Sequence, residues 1–211
     1  MLKTLFLAAV AATLPACGGT PVSENSAVNE PAPVVQEQVK ETRAAENECR
    51  ICDFDHEAYK GPLSKEEVDG LLLALNDEYL AWATYDRVNK DFNDPRPFVN
   101  IQQAEGRHIE RLKTLFAAYG VQVPENRWIG SEPQFKSLQE ACKAGVDGEI
   151  ANRDLYTRLF ETTKREDITL VYKALQSASE DNHLPAFQRC IESGGGNGRG
   201  RGYGRGANRG S

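Results

Sequence analysis

Ser179-Glu180-Asp181-Asn182-His183-Leu184-Pro185-Ala186-Phe187 places a carboxylate three residues before an imidazole, and the same step occurs once more at Glu105 and His108. On a helix, residues three apart share a face, so each step aims both side chains the same way. A helix offers two ligands to a cation in this manner. The chain has three histidines, His56, His108 and His183, and two of them fall in the step.

A helical centre for two metals needs one further Glu from each of two other helices. Glu78 lies 27 residues before Glu105, and Glu149 lies 31 before Glu180. Tyr85 and Tyr156 each follow their Glu by seven residues. The chain therefore reads as a two-fold repeat: a helix with Glu, then a helix with Glu-x-x-His.

Apolar periodicity supplies the helices. Ser64 and Glu67 form a capping box that opens the first, where Val68, Leu71, Leu72, Leu75, Glu78, Tyr79, Trp82 and Tyr85 share a stripe. The second is expected over 97–119, with Glu105 and His108 in its apolar row and Gly120 as its C-cap. The third is expected over 134–163 and the fourth over 166–192. Glu180 sits at the margin of the fourth stripe, and Pro185 removes a hydrogen bond to Asp181 and predicts a kink. Residues 120–133 reach about 46 Å when extended, against about 35 Å for a 23-residue helix, so this connection can cross the whole molecule. The expected fold is all-α, a four-helix bundle with one long crossover between helices 2 and 3. Gly145 and Gly148 weaken the third helix, and glycine so near Glu149 makes room for a helix or a ligand.

Both ends of the chain differ from this 61–193 domain. Residues 1–16 carry Lys3 and then an apolar run too short to span a bilayer, as in a secretory signal. Leu14-Pro15-Ala16-Cys17 resembles the lipobox of bacterial lipoproteins, which implies acylation of Cys17. The alternative is an ordinary signal peptide cleaved near Ala16. The lipoprotein reading gives an exported, membrane-anchored protein, on the outer membrane or periplasmic face of a Gram-negative cell. Residues 17–60 are rich in Pro, Ser, Glu and Gln and read as a disordered tether. Residues 194–211 form a Gly-rich tail with Arg199, Arg201, Arg205 and Arg209. Without those four the formal net charge would fall from −6 to −10, so the rest of the chain is acidic and is no nucleic-acid binder. Anionic lipid, glycan or a protein partner suits the tail better than RNA.

Cys17 apart, four cysteines remain, an even number that favours disulfides in an exported protein. Cys142 lies seven residues before Glu149 and Cys190 seven after His183. If their helices run antiparallel with Glu149 and His183 level, both fall about 10 Å along the axis on the same side, close enough to bridge. Cys49-x-x-Cys52 leaves open a local disulfide, a redox pair or half a metal site. His56 reads as polar surface.

Several segments resemble the ferritin-like prokaryotic family known as domain of unknown function 2202: Glu78-Tyr79-Leu80-Ala81, Ala104-Glu105-Gly106-Arg107-His108, Tyr119-Gly120, Asp167-Ile168-Thr169-Leu170-Val171-Tyr172 and Asn182-His183-Leu184-Pro185-Ala186-Phe187. Pro185 and Gly148 depart from that pattern, the first standing where a helix former is expected and the second where a second acidic residue is common. The resemblance, extended to the ferritin and rubrerythrin superfamily, implies that Glu105 and Glu180 bridge two metals, that Glu78 and Glu149 each cap one, and that His108 and His183 complete the spheres. Two iron ions are implied, with manganese the alternative. The function so implied is an exported di-iron protein that oxidises Fe(II) or reduces dioxygen or peroxide, with Tyr85 and Tyr156 as candidates for electron relay or core packing. The alternatives are a non-catalytic metal-binding protein and a metal-free structural helical bundle. No rubredoxin cysteines accompany the domain, which disfavours a complete rubrerythrin-like peroxidase. A homodimer is compatible with this reading.

Overall fold

Ser64 opens the first helix through both halves of the expected capping box: its hydroxyl accepts from the Glu67 amide at 3.2 Å, and its own amide donates to Glu67 Oε2 at 2.9 Å. The computed structural model describes residues 48–195, and over this span the chain is all-helical, with no strand. Helix α1 is Lys65–Phe92, α2 is Phe98–Tyr119 and α3 is Leu138–Thr162. The last column comprises α4 (Glu166–Ala178), a π-turn (Ser179–His183) and α5 (Leu184–Glu192). Gly120 ends α2 at φ 66°, where its amide reaches back to the carbonyls of Phe116 and Ala117.

Two expectations about the helices need correction. Helix α3 begins at Leu138 rather than 134, because Ser137 is the residue whose hydroxyl caps it, accepting from the Glu140 amide at 3.2 Å. The fourth helix is not continuous. Pro185 has no amide hydrogen to donate to Asp181, and the turn before it widens so that the Leu184 amide reaches back five residues to the Ser179 carbonyl.

Helix α1 packs on α2 and α3, α3 also packs on α4, the π-turn and α5, and α2 meets α4. Two apolar clusters fill the interior. One gathers Leu71, Leu75, Leu112, Trp128, Tyr156 and Tyr172, and the other gathers Tyr85, Phe98, Cys142, Phe187 and Cys190. Cys142 and Cys190 form the expected disulfide, and Cys49 pairs with Cys52. Residues 48–60, assigned above to the tether, lie against the helices: Ile51 is buried, the Asn76 amide group donates to the Glu48 carbonyl at 2.9 Å, and Asn76 Oδ1 accepts from the Arg50 amide at 3.1 Å. The rest of the tether, the signal segment with Cys17, and the tail beyond Gly195 lie outside the described residues. Among the described residues, no helix is long and apolar enough to cross a membrane.

Candidate metal centre

Five side chains meet between the two apolar clusters. Glu78 comes from α1, Glu105 and His108 from α2, Glu149 from α3 and His183 from the π-turn. They form two groups whose ligand atoms lie within 4.8 Å of one another, Glu78 with Glu105 and His108, and Glu105 with Glu149 and His183. Glu105 belongs to both and divides its oxygens between them. His108 Nδ1 lies 2.7 Å from Glu105 Oε2 and 3.1 Å from Glu78 Oε2. His183 Nδ1 lies 3.0 Å from Glu105 Oε1 and 3.5 Å from Glu149 Oε2. The imidazole rings stack at 5.6 Å between centroids.

The repeat tyrosines serve these carboxylates crosswise. Tyr85, in the first half of the chain, donates to Glu149 Oε1 at 2.8 Å, and Tyr156, in the second, donates to Glu78 Oε1 at 2.7 Å. Burial, reinforced by the facing carboxylates, pushes both phenols well above their ordinary range, so each remains a donor. Each phenol occupies the oxygen turned away from the imidazoles and orients the carboxylate, as outer partners do around metal ligands.

Electrostatics of the metal-free cluster follow from the same contacts. Burial disfavours both imidazolium ions, but the Glu105 and Glu78 carboxylates outweigh it at His108, and Glu105 and Glu149 outweigh it at His183, so each is pushed up to about 10. Burial acts to raise the Glu105 carboxyl, but the hydrogen bond from His108 and the close approach of the His183 imidazole prevail and hold it below its usual range. Glu78 is raised, first by burial and then by the charge of Glu105.

Glu180 does not join the cluster. Its side chain is 44% exposed and lies 4.0 Å from Arg153 Nε. Three residues apart means one face only in an α-helix. In the wider i→i+5 turn of residues 179–183, His183 points inward while Glu180 swings out. Asp77, which the spacing did not single out, stands at the edge of the centre instead. It accepts from Asn152 Nδ2 at 2.6 Å, and Asn152 Oδ1 in turn accepts from Ser179 Oγ at 2.7 Å. Burial first, then the negative charge of Glu78, pushes the Asp77 carboxyl well above its ordinary value. Its signal in the sequence was weak, an acidic residue next to an inward Glu. His56 is away from the cluster, with Nε2 2.8 Å from Asp69 Oδ1.

The donor set suits a pair of first-row divalent ions. It offers carboxylate oxygen and imidazole nitrogen, while the four cysteines among the described residues are tied up in disulfides. His183 Nδ1 is buried and makes no well-aligned hydrogen bond, although two carboxylate oxygens lie close by. A cation among the three atoms would satisfy all of them, and a proton satisfies them incompletely.

No protein-family model matches the chain, and no curated protein matches it in sequence. Among solved structures it is similar to the hypothetical protein MJ0754 from Methanococcus jannaschii DSM 2661, at 28% identity and a TM-score of 0.57, over 65% of this chain and 86% of that one.

Proposed function

We propose that the chain is a di-metal carboxylate protein, arranged as a ferritin-like four-helix bundle with the 120–137 connection as its long crossover, and related to domain of unknown function 2202. Iron is the proposed metal and manganese the alternative. The observation that carries this reading is Glu105, whose two oxygens address two separate carboxylate and imidazole groups. A carboxylate so placed could bridge two ions. Glu78 and His108 would hold one ion, Glu149 and His183 the other, and Glu105 both. Five protein ligands for two ions leave coordination positions open. Two divalent ions carry one positive charge more than Glu78, Glu105 and Glu149 together, and their field would favour ionisation of the neighbouring Asp77 carboxyl, which burial and Glu78 otherwise hold well above its ordinary value.

A bound ferrous pair would supply two electrons, enough to reduce dioxygen with two protons to hydrogen peroxide, or hydrogen peroxide with two protons to two waters. The protein's own residues prepare that exchange. His108 and His183 must shed their protons to become ligands, and Tyr85 and Tyr156 keep the outer carboxylates from turning. The two apolar clusters exclude bulk water and strengthen every charge interaction within. The two disulfides support an exported protein, as the lipobox resemblance implies.

The test is metal analysis of the purified full-length chain, followed by aeration of the anaerobically loaded protein. Two ferrous ions per chain and a rapidly developing ferric absorption band with dioxygen uptake are expected. Two ions that stay ferrous in air would make this a carrier, and no bound metal would leave a structural polar network. The unaligned buried Nδ1 of His183 argues against that last state.

A further inference from the structure

A small cavity of about 50 Å³ adjoins the centre on one side. Leu80, Ala81, Pro133, Ala144, Gly145 and Gly148 form its apolar wall, and Asp77, Thr84, Tyr85, Glu105, Glu149 and Asn152 its polar one. Of the five side chains of the centre only Glu105 and Glu149 line it; Glu78, His108 and His183 do not. The two halves of the centre, equivalent in the sequence repeat, are therefore unequal in access.

The two glycines flagged in the sequence have separate reasons to be there. A Cβ on Gly145 would come within 2.7 Å of the Phe187 ring, so that glycine lets α5 pack against α3. A Cβ on Gly148 would meet nothing nearer than Tyr85 Oη at 4.0 Å. Packing does not require glycine at 148, and the space it leaves is part of the cavity.

We infer that this cavity is the seat of dioxygen, delivered to the Glu105, Glu149 and His183 half of the centre, and that no organic substrate is accommodated there. The inference rests on the di-iron reading above. Size decides against an organic molecule: a water needs roughly 10–15 Å³ of such space and a drug-sized ligand several hundred, so the cavity holds only a few atoms. The chemistry of the walls decides among small occupants. Its polar groups are largely engaged with one another, Tyr85 with Glu149 and Asn152 with Asp77, so the free wall is mainly Leu80, Ala81, Pro133 and Ala144, which accepts an apolar diatomic without loss of hydrogen bonds, whereas a cation could enter so small a space only without its shell of waters. The electrons balance without an organic reductant: each of two ferrous ions gives up one, and dioxygen takes both with two protons and leaves as hydrogen peroxide.

Two experiments test the inference. In the metal-free full chain, xenon serves as an apolar atom of similar size, and methyl resonances of Leu80, Ala81 and Ala144 should shift with xenon pressure. In Gly148→Leu these shifts should vanish. In the loaded protein, Gly148→Leu should still bind two ferrous ions but oxidise in air slower by about tenfold or more, with Gly148→Ala in between. Methyl shifts absent from the wild type would overturn the inference, and so would Gly148→Leu oxidising at the wild-type rate with both ions bound. A variant that slows iron loading as much as oxidation would make the cavity a cation route and also overturn it. If Gly148→Leu does not fold, the wild-type xenon titration still decides. If the wild type binds no iron, the di-iron reading fails, while the xenon result separately reports whether the cavity takes such a molecule.

Discussion

Replacing Glu105 and Glu180 separately by glutamine divides what the Glu-x-x-His spacing promises from what the structure shows. Glu105 is 3% exposed and faces two imidazoles at 2.7 and 3.0 Å. Removing its charge in the metal-free protein leaves two buried cations, with ring centroids 5.6 Å apart, sharing only Glu78 and Glu149. Stranding a buried charge costs about 3–5 kcal/mol. One escape is to release a proton: Glu105 is the foremost group holding both imidazoles up, so without it a proton leaves more readily and relieves part of this cost. At about 2–4 °C per kcal/mol for a domain of this size, Glu105→Gln should melt about 6 °C or more below the wild type. Glu180 faces Arg153 at 4.0 Å in solvent, and such pairs contribute about 0–1 kcal/mol, so Glu180→Gln should melt within about 3 °C of the wild type. Thermal unfolding by circular dichroism reads both, and metal analysis adds a second comparison: Glu105→Gln should lose bound metal and Glu180→Gln should keep two ions per chain. Equal melting temperatures for the two variants, or loss of an ion from Glu180→Gln alone, would refute the reasoning from the π-turn.

The metal-free protein should weaken in alkali. The folded-state values of His108 and His183, about 10, lie above the ordinary imidazole value of 6.5, so their contribution to stability is fully present below 6.5 and is lost as pH rises through 10. Denaturant midpoints measured from pH 6 to 10.5 check this. Ligation requires neutral imidazole, so the apparent metal affinity should rise over the same interval with release of up to about two protons per chain, as calorimetry in buffers of different ionisation enthalpy would show. Tyr85→Phe and Tyr156→Phe each remove a buried hydrogen bond to a carboxylate and should each lower stability by about 1.5–3 kcal/mol in chemical denaturation. Gly145→Ala should cost about 1–3 kcal/mol by crowding Phe187, whereas Gly148→Ala should be neutral or stabilising by up to about 1 kcal/mol.

Spacing alone was enough to find Glu78, Glu105, His108, Glu149 and His183, because four of the five sit in regular α-helix, where apolar periodicity tells inside from outside. It failed at Glu180, because an i,i+3 argument assumes the helical repeat it is applied to. Pro185 is the visible warning: a proline inside a helix predicts a bend, whereas here the chain widens the turn before it. Asp77 was hidden for a different reason. Its position on α1 follows from α3 packing against that flank and presenting Asn152, and a contact between residues 75 apart leaves no mark in local periodicity. Cys142 and Cys190 were legible because the rise per residue is regular along α3, and the π-turn displaces the rotation of the last column more than its advance. The ordered stretch before α1 was not legible: residues 48–60 show no helical period, and what holds them is contact with distant residues, the burial of Ile51, the bonds of Glu48 and Arg50 to Asn76, His56 to Asp69 and Tyr59 to the Tyr119 carbonyl.

The crossed tyrosines show why the centre behaves as one unit although its parts are duplicated. Were each tyrosine bonded to the Glu of its own half, α1 with α2 could slide past α3 and the last column without disturbing either pair. Instead Tyr85 holds Glu149 and Tyr156 holds Glu78, so any relative shift breaks both bonds together, and Glu105 adds a third tie through its two oxygens. This reciprocity fixes the groups' positions but does not make them alike. The cavity reaches the shared Glu105 and, of the unshared residues, Glu149 alone, while His108, 14% exposed at its side chain, lies nearer solvent than His183 at 5%. Two ions held this way would occupy sites of similar composition and different access, with Gly148 leaving open part of the space beside Glu149.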